Sequence, residues 1–188
     1  MHYEEIKLMK NTKQITTISM FAGLVVVLQV VATFINFGGF PITLTLIPII
    51  IAGALYGPKI GALMGTVFGV VVALMVITGA DPSGAGMLAM RPVVTILTCV
   101  LKGTFCGLAG ALVYKVLNKK NKVIAIVLAS AVTPIVNTGI LYTVIIIFFS
   151  GTFAAMLGAF MSVNFAIELI TNILLAPGLL RIVDSKTK

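Results

Sequence analysis

Residues 78–92, TGADPSGAGMLAMRP, form a polar stretch rich in Gly and Pro, set between two long apolar runs. It holds one acid, Asp81, and ends in Arg91, at the start of the next apolar run. If the flanking runs are lipid-embedded helices, this is an external loop between two spans, and a lone arginine beside flexible glycines suits a small anion with a lid closing over it. The other role open to Arg91 is to snorkel toward lipid headgroups, as arginines near helix ends do.

Working outward, 60% of the 188 residues are hydrophobic and only 10% are charged, and the mean hydropathy is +1.18. A soluble domain of this length is far more polar. The expected fold is an all-α integral membrane protein, a single domain over residues 1–188, because nowhere does polarity stay high long enough to build a second domain. A transmembrane helix needs about 20 mostly apolar residues, and that rule predicts a bundle of six, over residues 15–35, 42–56, 60–77, 93–117, 123–149 and 154–182. The second is short, consistent with tilt or a partly re-entrant path, and closes at Gly57-Pro58-Lys59, where Gly and Pro stop a helix. NFGGFP (36–41) and SGTF (150–153) read as turns. The first run is too long for a signal-peptide core and lacks a small-residue cleavage site, so it is expected to be a retained span.

The net charge of +8 does not mark a nucleic-acid binder, because the basic residues sit at the ends of apolar runs. Lys7, Lys10, Lys13, Lys59, the NKKNK run at 118–122, Arg181, Lys186 and Lys188 fall on one side of a six-span topology. By the positive-inside rule that side is the cytoplasm, with both termini, and residues 78–92 lie outside, between helices 3 and 4. Cys99 and Cys106 are seven residues apart in one run and read as packing residues, not as a disulfide. A single histidine, His2, gives no basis for a metal site, and no cofactor is expected.

Small residues recur every fourth position at Gly57, Gly61, Gly65 and Gly69, and again at Gly103, Gly107 and Ala111. At that spacing they let helix backbones approach closely. Ser19 and Gly23 form a similar pair in the first run, suited to internal packing or to a partner subunit.

Each polar group inside hydrocarbon calls for a partner or a role. Lys102 lies about 15 Å inside the external end at 1.5 Å per residue. Glu168 lies at matching depth in the last run, with Asn164 and Asn172 on the same helix face, so a structural ion pair between Lys102 and Glu168 is expected, a proton or ion relay being the competing reading. Arg91, Thr95, Asn137, Tyr142 and Asn164 then supply one cation and several neutral hydrogen-bonding groups in the outer half of the bundle, a set that suits a small polar carboxylate. Asn and Tyr also join helices without any ligand. No Ser/His/Asp set, no paired external carboxylates and no phosphate-binding GxxxxGK[ST] stretch is present, so neither an enzyme nor a self-powered pump is expected.

The chain resembles the substrate-binding S components of energy-coupling factor (ECF) vitamin transporters, through its six apolar runs, the turn FPITLTLIP (40–48), GALYGPKIGALMGTVFG (53–69), the loop at 78–92, and Asn164, Glu168 and Asn172 before Ala176-Pro177. The resemblance implies a multi-pass subunit of a prokaryotic plasma membrane that captures a vitamin outside. It also implies docking on a transmembrane coupling subunit driven by two ATPases, and inward release by toppling. The loop with Asp81, Ser83, Gly84 and Gly86 would be the gating lid. The family's docking pattern, alanine, three residues, alanine, is met here by Ser19 and Gly23 with Ala22 adjacent, a departure that keeps small size but not identity. With no Trp and 8% aromatics, a stacking cage for flavin or thiamine is poorly supplied, and pantothenate-type S components are the most similar. Folate, biotin and riboflavin remain alternatives within the class; a stand-alone secondary carrier, which would show paired halves, and a structural membrane subunit remain alternatives outside it.

Overall fold

A computed structural model describes the backbone of residues 2–34, 36–37, 40–41, 44–149 and 152–187, and the side chains of 12, 14–32, 44–149 and 163–185. Among these residues the elements are α1 (His2–Phe34), β1 (Asn36–Phe37), β2 (Phe40–Pro41), α2 (Leu46–Tyr56), α3 (Pro58–Ile77), α4 (Pro82–Met90), α5 (Pro92–Leu117), α6 (Lys122–Phe148) and α7 (Thr152–Thr187). The strands pair antiparallel as a minimal hairpin, where a plain turn was expected. The side chains of Lys7, Lys10, Lys13, Lys186 and Lys188, and the centre of the 150–153 turn, lie outside the described residues.

Five described helical stretches are long and apolar enough to cross a membrane: Gln14–Ala32, Pro58–Ile77, Pro92–Leu117, Lys122–Phe148 and Val163–Ser185. The short second run is a different kind of element. As an 11-residue helix, α2 is only about 16 Å long at 1.5 Å per residue, about half a bilayer's hydrocarbon core. It packs against α1, α3, α5, α6 and α7. Leu46, Pro48, Ile49, Ile50, Ile51, Ala52 and Gly53 are all buried, and a helix apolar around its whole circumference belongs inside a protein. It is the pillar around which the longer helices stand.

The broadest helix contact, α3 against α5, is made by glycines. A β-carbon at Gly61 would stand 2.6 Å from the Gly107 carbonyl oxygen, and one at Gly53 2.7 Å from the Ala111 β-carbon. Gly65 and Gly103 lie against each other's carbonyl oxygens, and Gly69 lies against that of Cys99. Gly61 meets Gly107 while Gly69 meets Cys99, so the helices run antiparallel. Thr66 Oγ1 and Thr104 Oγ1 are 2.8 Å apart across the seam. The expected ladder is therefore real for Gly61, Gly65 and Gly69, but Gly57 is not a rung. It joins α2 to α3 at φ +91° with open space around its Cα, a left-handed conformation that favours glycine; Gly53 takes its place in the ladder.

The same antiparallel packing gathers the start of α3, with Lys59, and the end of α5, with Lys115, at one end of the bundle. Lys122 at the start of α6 bonds Asp184 near the end of α7 at 2.7 Å, bringing those termini together. Residues 78–92 lie at the opposite end. There the chain is not the glycine loop expected. It turns at Gly79 (φ +76°) and forms α4, because Asp81 Oδ1 accepts from the backbone N–H groups of Ser83 and Gly84 and Pro82 occupies the first helical position, a combination that starts helices. The helix breaks at Arg91 (φ −146°, ψ 81°) because the residue before Pro92 is pushed out of the α region.

A side chain at Gly65 has no room because the obstacle is backbone, so Gly65→Val is expected to destabilise the protein by at least about 1–3 kcal/mol, the usual cost of overpacking. Gly23→Val, where nothing lies within 4 Å, is expected to leave the midpoint unchanged. Thermal unfolding of both variants in detergent checks the contrast, and equal midpoints would remove the seam from its central role.

Candidate functional site: an enclosed polar cavity under α4

One stripe from each of six elements converges on a cavity at the α4 end of the bundle. Phe68, Val72 and Val76 present one face of α3, and Thr95, Thr98, Cys99 and Lys102 one face of α5, as helical spacing requires. Asn137, Thr138 and Leu141 come from α6, Asn164 and Glu168 from α7, and Gln29 from α1. Asp81, Ser83, Gly84 and Met87 close it from above. The space open to the centres of water-sized spheres is about 90 Å³, small enough to require a compact occupant.

Its walls divide by chemistry. The α3 face is aromatic and aliphatic, whereas α5, α6 and α7 bring hydroxyls, amides and opposite charges. Lys102 is 9% exposed and Glu168 2%. Lys102 Nζ stands 5.9 Å from the centroid of the Phe68 ring, within cation–π range. The Thr95 hydroxyl donates to the Arg91 carbonyl at 2.9 Å and the Thr98 hydroxyl to the Val94 carbonyl at 2.6 Å, which spends each proton and leaves the hydroxyl oxygens as acceptors toward the cavity. Asn137 is 6% exposed and its Oδ1 has no hydrogen-bond partner, although such buried acceptors are normally satisfied. A ligand donor, N–H or O–H, would satisfy it.

Of the residues expected at the site, the cavity gathers Thr95, Asn137 and Asn164, the capping residues Asp81, Ser83 and Gly84, and both Lys102 and Glu168. Arg91 is not among its lining residues and is exposed, because the break before Pro92 sets it at the junction of two helices. Tyr142 also lies outside the lining and packs with Met87, Ile145 and Phe149, bracing α4 against α6. Gly86 is half-buried on another part of α4. Asn172 is buried beyond the cavity and donates from Nδ2 to the Glu168 carbonyl at 2.8 Å, so it steadies the backbone that carries Glu168. The buried cation of this site is thus Lys102.

Gln29 was missed. Buried in α1, its Oε1 accepts from the Thr45 hydroxyl at 3.0 Å; a lone amide within an apolar run was the signal that marked it. Phe68, Val72, Val76, Met87, Thr98, Cys99, Thr138 and Leu141 carried no such signal, because in a membrane helix they read like lipid-facing or packing residues.

Helix α4 is seated with little clearance: a β-carbon on Gly84 would collide with the Val76 side chain, while the Asp81 carboxylate also accepts from the Ser83 hydroxyl at 2.6 Å. Asp81→Ala removes the N-cap, at a typical cost of about 1 kcal/mol. It is expected to speed hydrogen exchange at the α4 amides selectively, with α5 protection unchanged; equal acceleration in both helices would contradict a locally capped α4.

Comparison with known proteins agrees with this architecture. A model of the family described as the ECF transporter, substrate-specific component, matches residues 13–180, which include every residue lining the cavity. A comparison with curated proteins gives no match. A multi-pass helical bundle with a polar cavity under a short capping helix is thus accompanied by a match over nearly its whole length, and the chain belongs to the ECF transporter substrate-specific component family.

Proposed function

We propose that the chain captures pantothenate from outside a prokaryotic cell and delivers it inward through an ECF complex. Membership of the family supports a transport subunit, not itself an enzyme, that works with ECF module subunits and a small-molecule substrate. The choice of vitamin goes further, and one observation carries it: a compact cavity whose described lining combines one buried cation with an unsatisfied amide oxygen. Pantothenate offers a carboxylate for Lys102, hydroxyl and amide N–H groups for Asn137, Asn164 and the threonine oxygens, and a dimethyl carbon for Phe68, Val72 and Val76. The small space and the single aromatic ring among the described residues of its lining disfavour flavin and folate.

In this reading Lys102 and Glu168 neutralise each other while the cavity is empty, and α4 is the lid. Arg91 serves the mouth of the site, where it meets incoming anions or lipid headgroups. The topology completes the proposal: six spans counting α2, with both termini and the Lys59, Lys115 and Lys122 end cytoplasmic, so that the cavity faces outward.

Docking on a transmembrane coupling subunit fits α1. Its apolar stretch Gln14–Ala32 is only 22% buried within the chain, less than any other candidate span, and Ser19 and Gly23 lie on its exposed side. Ala22 packs against the protein's own core instead, so the proposed contact is made by Ser19 and Gly23. ATP hydrolysis by two partner ATPases would supply the energy.

Isothermal titration of the detergent-purified chain against pantothenate, with riboflavin, folate and biotin as controls, tests the ligand. Saturable binding of pantothenate alone is expected, and binding of a control in its place would overturn the choice of vitamin. Lys102→Gln is expected to weaken binding by about 1.5–3 kcal/mol, the worth of a hydrogen bond to a charged group, and Arg91→Ala by less; the reverse order would return the ligand to Arg91. Gly23→Leu should spare binding by the isolated chain yet abolish uptake by the assembled complex. Normal uptake in cells would move the docking surface off this face.

A further inference from the structure

We propose that the cavity takes up a proton together with its anionic ligand, and that Glu168 is the group that receives it. This rests on the reading of the ligand as a carboxylate. The charged side chains around the cavity lead to it.

Among the described residues three charged side chains border the cavity: Asp81, Lys102 and Glu168. Asp81 is already committed, because its carboxylate accepts from two backbone N–H groups and a hydroxyl at the start of α4, where the helix dipole also favours negative charge. That leaves Lys102 to balance Glu168, and the described lining holds no spare positive charge. A ligand carboxylate adds a negative charge that nothing at the site offsets, since Arg91 is exposed and outside the lining. Uncompensated charge in a low-dielectric interior is strongly unfavourable, and a protein group commonly changes protonation instead.

Glu168 suits that role by position. From α5 it faces Lys102 and the thiols of Cys99 and Cys106, and from the start of α4 it faces Asp81, which is held by its cap. The cavity faces of α1, α3 and α6 bring amide, hydroxyl and apolar groups only. Tyr56, the one titratable residue of α2, and the Lys122–Asp184 pair belong to the opposite end of the bundle. When the ligand enters, the Lys102 ammonium, which stands over the Phe68 ring, pairs with the ligand carboxylate. A proton from solvent forms an O–H bond on Glu168, and no group is oxidised or reduced. On release the order reverses, and vitamin and proton leave together.

The test is titration of the full chain with pantothenate in phosphate and in Tris, whose ionisation heats differ, so that the change in apparent enthalpy counts protons. The expected result is uptake of about one proton per bound vitamin near neutrality, with affinity falling about tenfold per pH unit as pH rises, because the complex then holds one proton more than its separated components. Glu168→Gln, which keeps the shape of the neutral acid, is expected to lose both the uptake and the pH dependence. Binding by the native chain with no proton uptake overturns the inference and leaves the functional reading standing, and this decides the matter even if the variant fails to fold. Uptake that persists in a folded Glu168→Gln variant overturns the assignment to Glu168. Affinity that depends on sodium over choline, without proton uptake, overturns it in favour of a metal cation. Failure of pantothenate, folate and biotin alike to bind overturns the carboxylate reading and this inference together.

Discussion

Backbone-to-backbone contact between α3 and α5 is the constraint from which the rest of the structure follows. Lipid tails are as apolar as the helices, so burial of hydrocarbon gives these helices little reason to associate, and close packing must supply it. Gly61, Gly65 and Gly69 on one side and Gly103 and Gly107 on the other let backbone meet backbone along the seam. Helices this close hold Phe68 and Lys102, which flank the glycines, at a fixed separation across the same interface. The position of the buried cation is therefore set by residues that carry no charge.

Much of this was legible in the sequence. Apolar runs divided by Gly-Pro, Asn-Lys and Ser-Gly punctuation marked α3, α5 and α6 to within a few residues, whereas α1 begins at His2, well before the expected start at 15, and four-residue spacing marked the small-residue seam. Two features were misread for the same reason: glycine was taken as a sign of loop or of ladder without regard to its neighbours. Gly84 and Gly86 belong to a helix because Asp81-Pro82 starts one, and Gly57 ends a helix because Pro58 follows it. In both places the capping residues carried more information than the glycine.

The site was legible only in its polar members. Lys102, Asn137, Asn164 and Glu168 stand out against hydrocarbon because burying them is costly, and the fold does bring them to one cavity. Arg91 stood out for the same reason, yet its backbone break turns it outward, a matter of one proline rather than of charge. The apolar wall of Phe68, Val72 and Val76 was silent, since nothing in composition distinguishes a side chain that meets ligand from one that meets lipid. What decided between them was which face of α3 the glycines had already claimed.

The central place of α2 has a consequence for how the protein is made. A segment of 11 residues is too short to be held in a bilayer by its own hydrophobicity. Four of the five helices that enclose it, α3, α5, α6 and α7, leave the ribosome after it. During synthesis α2 must therefore wait, sheltered by α1 and α3, until the last helix arrives. The core of this molecule is completed from its C-terminal side, and a chain released early would expose its most apolar segment rather than its least.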